Sequence, residues 1–138
     1  MNGYKINFNG LDRLYNAYSW RLSRRAKQAW KTGTVVTGQY LKEFEVKISK
    51  KTFRKFGIGV GSATDGLYFA MKAVGLDHTS TIVCPVLSFK ATSGAIKRVG
   101  AKIIYVDVDQ FGNLGSLEHI GIVDAVVYVH LYGNPSDY

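Results

Sequence analysis

From Phe56 onward, short β-branched runs alternate with helix-spaced segments, and glycine closes one after another. Ile58 and Val60 alternate with glycines, and a strand there leads through a small-residue turn into a helix over Ala63 to Val74, ended by Gly75. Thr81 to Cys84 is a short β-branched strand stopped by Pro85, and Phe89 to Val99 is a helix closed by Gly100. Lys102 to Val106 is a strand ending at Asp107. A turn at Phe111-Gly112-Asn113 leads to a short helix near Ser116 to Ile120, then to a buried strand over Ala125 to His130. Strands and helices alternating at this spacing define an α/β protein: a mostly parallel sheet with helices on its faces, a three-layer α/β/α arrangement.

The residues before Phe56 lie outside that alternation. Leu11, Leu14, Tyr15, Tyr18, Leu22, Ala26 and Ala29 follow the spacing of a helix with one apolar face, and Gly33 stops it. A second helix follows Thr37-Gly38, with Leu41, Phe44 and Ile48 inward and Lys42, Lys47, Lys50 and Lys51 outward. Residues 1–56 carry 13 Lys/Arg against 3 Asp/Glu, whereas residues 57–138 carry 5 against 7. The division is therefore a basic helical segment over 1–56 and an α/β portion over 57–138. Such a field suits a polyanion such as nucleic acid, a charged substrate such as a nucleotide sugar, or simply the solvated face of two helices. The helices themselves suit a dimer arm or a packed cover.

Bulk properties narrow the class. With 46% apolar and 20% charged residues, the 138-residue chain has the composition of a folded domain rather than a disordered one. No apolar run is long enough to span a bilayer, and Met1-Asn2-Gly3 leads into mixed polar sequence without a signal-peptide core. The single cysteine, Cys84, forms no internal disulfide and suits a cytoplasmic location.

Three segments could carry chemistry. In Gly57 to Leu67, small residues let the backbone approach a ligand, and unpaired amides at the following helix start attract an anion. It is neither a Walker loop, which needs Lys where Leu67 stands, nor a dinucleotide fingerprint, which needs Gly where Thr64 stands. Thr64 and Asp65 equally suit helix capping without a ligand. Phe89, past the second strand, is either a platform for a planar ring or one more core aromatic. His130, before Gly133-Asn134-Pro135, is either a general base or the residue that orders that turn. Cys84, His78, His119 and His130 have no metal-ligand spacing, so no metal is expected, and no G-x-S-x-G marks a serine nucleophile.

In order along the chain, these pieces resemble the DegT/StrS family of sugar aminotransferases, which have the aspartate-aminotransferase fold and use pyridoxal phosphate. Thr37-Gly38-Gln39 through Phe44-Glu45 is similar to the family's G-x-x-x-x-x-F-E opening, and Gly61-Ser62-Ala63-Thr64-Asp65-Gly66-Leu67 to its S-G-T-x-A-L turn. Cys84-Pro85 through Ser88-Phe89-Lys90-Ala91-Thr92 is similar to P-x-x-T-F-x-A-T. Val99-Gly100-Ala101 through Asp107-Val108 is similar to G-A-x-x-x-x-x-D-I, and Val129 through Asp137 to V-H-L-Y-G-x-P-x-D. Gly66 departs from the usual alanine and should loosen the helix start.

The resemblance implies that the backbone amides of Ala63 and Thr64 hold the cofactor phosphate and that the Phe89 ring stacks on the pyridine. It also implies a nucleotide-linked keto sugar as substrate, an amino acid as donor, and a homodimer or complementing chain as partner. In the family the reactive lysine and the aspartate that pairs with the pyridine nitrogen lie beyond V-H-L-Y-G-x-P-x-D, and neither Asp124 nor Asp137 matches that aspartate. No residue of these 138 is thereby assigned a catalytic role. The resemblance implies a truncated family member, the first portion of the large domain, inactive alone. The reading that stands beside it is a non-catalytic remnant or a basic module for nucleic acid or a partner chain.

Overall fold

The computed structural model describes residue 7 and residues 9–136; Met1-Asn2-Gly3 and Asp137 lie outside the described residues. The chain divides into two compact units, Met1–Gly59 and Val60–Tyr138.

The first unit contains α1 (Leu11–Thr32) and α2 (Gln39–Lys51). Gly10 and Gly33 bound α1 in the left-handed conformation, at φ 60° and 67°. No residue of α1 is buried: Leu11, Leu14, Tyr15 and Leu22 stand open to solvent. In α2, Leu41 and Ile48 are half-buried as expected, but Phe44 is exposed, a correction to the inward face read from its spacing.

The strand expected over Ile58 and Val60 does not form. Two glycines weaken a strand, and these have another use. A Cβ on Gly57 would lie 2.6 Å from the Glu45 carbonyl oxygen and 2.8 Å from Ile48 Cγ2, and one on Gly59 would run into Leu41. The Gly59 N–H donates to Glu45 Oε1 at 2.8 Å. These glycines let the backbone lie against α2.

The second unit holds α3 (Ala63–Ala73), β1 (Thr81–Pro85), α4 (Ala91–Val99), β2 (Lys102–Val106) and β3 (Ala125–Val126). The sheet order is β2-β1-β3, and both pairings are parallel. β1 is central because its residues tolerate burial on both faces: Ile82, Val83 and Cys84 are fully inaccessible. Ile82 and Cys84 pack with Met71 and Leu76, with Ala95, Ile96 and Val99 of α4, and with Ala101.

Asp124 fixes the entry to β3. Its N–H donates to the Thr81 carbonyl at 2.9 Å, and its Oδ2 accepts from the Thr81 N–H at 2.7 Å. The strand expected over Ala125 to His130 is cut to two residues, followed by one more bond from Val127 N–H to the Val83 carbonyl at 2.8 Å. Beyond it the chain leaves β1 and enters a 3-10 turn at Leu131–Gly133. The short helix expected near Ser116 to Ile120 is a single turn, closed by Ile120 N–H to the Leu117 carbonyl at 2.9 Å. One such bond does not offset helix nucleation.

Candidate functional site

The site begins where α3 begins. Ser62 is extended (φ −157°, ψ 161°), and its Oγ accepts from the Asp65 N–H at 3.1 Å, an N-cap. Ala63 and Thr64 are the first two helical positions, so helix geometry supplies their amides no internal acceptor. Serine takes the capping role that the sequence also allowed to Thr64 and Asp65.

Asp65 is held from two sides. Its Oδ2 accepts from Ser62 Oγ at 3.0 Å, and its Oδ1 pairs with Arg98 Nη1 at 2.7 Å. Arg98 also lies over the Tyr68 ring, 4.0 Å from its centroid. The Arg98 guanidinium, with help from Ser62, pulls the Asp65 carboxyl below its ordinary value of 3.8. The pair ties the first turn of α3 to the last turn of α4 across 33 residues of sequence.

Phe89 lies in the connection between β1 and α4, not in the helix expected from 89 onward. Phe89 is 67% exposed and takes no part in the core of the second unit. Its carbonyl accepts from the Thr92 N–H at 3.0 Å, and Ser88 Oγ meets Thr92 Oγ1 at 2.7 Å, so the connection is built into the start of α4. Phe89 thus stands past the carboxyl end of the central strand, where open α/β sheets place ligands. Among the described residues, no hydrogen bond links Phe89 to Ala63 or Thr64; they are related through the packing of α3 on α4.

His130 orders its turn. Its Nδ1 accepts from the Ser136 N–H at 3.0 Å. Asn113 Nδ2 donates to the Pro135 carbonyl at 3.2 Å, and Ser136 Oγ reaches Asn113 Oδ1 at 3.2 Å, a buried polar knot joining two loops. Burial raises the pKa of Cys84, as expected of a core thiol rather than a reactive one. Among the described residues, no group of three His, Cys, Asp or Glu could hold a metal ion. No described helix is long and apolar enough to cross a membrane. A concavity of about 670 Å³ runs along α2 beside Lys42, Val46 and Lys50, away from Ala63, Thr64 and Phe89 in sequence and in unit.

Sequence reasoning missed the Asp65–Arg98 pair and the Asn113–Ser136 knot. Asp65 in a helix's first turn was visible, but nothing local marks Arg98 as its partner.

A parallel sheet with helices packed on it, a helix start capped by Ser62 and an exposed aromatic past the central strand define an α/β protein with an open site at that end of the sheet. Residues 20–138 match the model of the DegT/DnrJ/EryC1/StrS aminotransferase family, and the chain belongs to that family. It is 29% identical over 132 residues to a pleiotropic regulatory protein of Geobacillus stearothermophilus, covering 92% of this chain and 36% of that protein. It is 31% identical over 105 residues to the GDP-perosamine synthase of Escherichia coli O157:H7, covering 72% of this chain and 29% of that enzyme. The Bacillus subtilis NtdA structure, solved with bound cofactor PMP, superposes with a TM-score of 0.86 at 29% identity, covering 99% of this chain and 33% of NtdA. The chain thus has the fold of part of the family's large domain and spans about a third of the length of these relatives.

Proposed function

We propose that this chain supplies the phosphate- and ring-binding part of a pyridoxal phosphate-dependent sugar aminotransferase. Residues 57–138 are then the first portion of the cofactor domain and residues 1–56 its basic helical segment. The Ala63 and Thr64 amides bind the phosphate, and Phe89 lies against the pyridine ring.

The residues present fit that group. Two amides without internal acceptors, at the positive end of a helix dipole, suit a phosphate. The observation that carries the reading is Phe89, an aromatic residue left 67% exposed in the connection that follows β1, whose Ile82, Val83 and Cys84 are fully inaccessible. When bound, pyridoxal phosphate supplies an electron-withdrawing ring for amino-group transfer. This chain's residues bind and orient it; in the family the reactive lysine lies beyond the segment matched here. The complete protein transfers an amino group from an amino acid to a nucleotide-linked keto sugar, as a homodimer or with a complementing chain, in the cytoplasm. These 138 residues alone do not turn over.

The test is a titration of the chain with pyridoxamine phosphate, with pyridoxamine as the phosphate-free control. Ala63→Pro removes one amide at the first helical position, where proline is tolerated and the extended Ser62 is compatible. We expect it to weaken binding by more than about tenfold, the worth of a hydrogen bond to a charged group. Phe89→Ala should cost about threefold to tenfold. Binding indifferent to both changes and to the phosphate would sink the reading.

A second reading is favoured by the uneven charge: the basic helices bind nucleic acid. Its signature is affinity for DNA or RNA that falls steeply with salt. Negligible binding at low ionic strength removes it.

A further inference from the structure

The α3 start poses an electrostatic difficulty. An amide pair that binds a phosphate has a carboxylate, Asp65, one residue further along the same first turn. A fixed negative charge at a helix N-terminus satisfies the same dipole that would attract the ligand, and it repels an incoming anion. Left alone, Asp65 would compete with the phosphate.

Its surroundings show how the competition is avoided. One carboxylate oxygen is taken by Ser62 Oγ at 3.0 Å, and the other by Arg98 Nη1 at 2.7 Å. Arg98 is itself positioned by the Tyr68 ring, 4.0 Å from its guanidinium carbon. The charge of Asp65 is therefore balanced by a cation reaching from α4, and its oxygens point to Ser62 and Arg98.

We infer that Arg98 is a positioning residue for phosphate binding: by neutralising and anchoring Asp65, it keeps the Ala63 and Thr64 amides available to an anion. Arg98 does not touch the ligand. This rests on the cofactor reading above, and it adds a residue 34 positions away from Thr64 to that site. It also explains why the carboxylate is tolerated there: Asp65 and Arg98 work only as a pair.

The pair makes a reciprocal prediction. Arg98→Met keeps much of the side-chain bulk but exposes the Asp65 charge. We expect pyridoxamine phosphate affinity to fall about fivefold, the upper range for a partly exposed ion pair. Asp65→Asn in the Arg98→Met background removes the stranded charge and should restore affinity to within about twofold of the unmodified chain. A purely structural role for Arg98 would not be rescued in this way. Thermal unfolding of each variant checks that the fold is kept, and pyridoxamine without phosphate should bind all of them equally weakly.

The outcomes separate cleanly. Loss in Arg98→Met with rescue by Asp65→Asn supports the inference. Binding by the unmodified chain that is sensitive to Ala63→Pro but unchanged in Arg98→Met overturns it and leaves the cofactor site standing. The same holds if the double variant stays as weak as Arg98→Met. Absence of phosphate-dependent binding by the unmodified chain overturns the cofactor reading, and this inference with it.

Discussion

α1 and α4 carry the same kind of sequence pattern and meet opposite fates. Both are amphipathic, and both end at a glycine in the left-handed conformation. α4 has 9 residues and buries Thr92, Ala95, Ile96 and Val99, whereas α1 has 22 and buries none. Periodicity identifies which face of a helix is able to pack. Only a partner surface turns that face into stability, because isolated helices are marginal in water. α4 has its partner in β1 and α3. Among the described residues, the Leu11, Tyr15, Tyr18 and Leu22 face of α1 has none within its own unit.

The sharpest way to break that contrast is a pair of truncations. Ile96→Ala, at a fully inaccessible position, should cost about 2–5 kcal/mol. Leu22→Ala, at a position 61% exposed, should change stability by no more than about 0.5 kcal/mol. Urea midpoints of the two variants measure both. Equal losses would mean that α1 is packed in solution and that the comparison is wrong.

A second substitution asks whether the first unit has a packed interior of its own. Gly57→Ala sets a Cβ 2.6 Å from the Glu45 carbonyl oxygen, and backbone cannot swing aside as a side chain does. The expected loss is about 1–3 kcal/mol, read by urea unfolding followed through α2 helicity. An unchanged midpoint would show that the 57–59 segment does not lie on α2.

These two units also differ in how much the sequence disclosed. In the second, β2 has the bounds expected and β1 runs one residue further, to Pro85, because β-branched runs between breakers leave little freedom. Gly33, Gly75 and Gly100 close helices at positive φ, a conformation that costs other residues about 1 kcal/mol or more. Where contacts are distant in sequence, local pattern failed. Gly57 and Gly59 looked like room for a ligand and are room for α2. β3 looked six residues long, but its length depends on how far β1 accompanies it. At the site, the start of α3 at Ala63 was legible, since a helix cap is a local event, but α4 begins two residues after the expected Phe89. The exposure of Phe89 was not, because burial depends on what the rest of the chain leaves uncovered. Nor was Arg98 beside Asp65, which only the α3–α4 packing produces.

Gly66 offers a smaller effect in the stabilising direction. It sits in the first half of α3, and a Cβ there would meet Val60 Cγ2 at 3.4 Å, an ordinary contact. Gly66→Ala should therefore raise stability by about 0.5–1 kcal/mol through reduced freedom of the unfolded chain. A lower thermal midpoint in that variant would mean the first turn of α3 needs glycine's latitude.

The smallest expected effect lies at the surface contact that joins those two helices. Asp65 titrates below its ordinary value of 3.8 in the folded chain because Arg98 and then Ser62 bind its ionised form. A carboxyl depressed by folding contributes stability that is complete above its unfolded pKa and is lost as pH falls through the folded one. Asp65→Asn lacks that contribution at every pH. The unmodified chain should therefore exceed the variant in stability at neutral pH, and the two curves should converge as pH drops below about 4. Asp77, held low by Thr79, is untouched by the substitution, so both curves keep its share of the acid slope. Urea unfolding at several pH values down to the acid limb reads the difference directly. A gap that stays constant with pH would place its origin in packing or capping, and the α3–α4 pair would then owe nothing to charge.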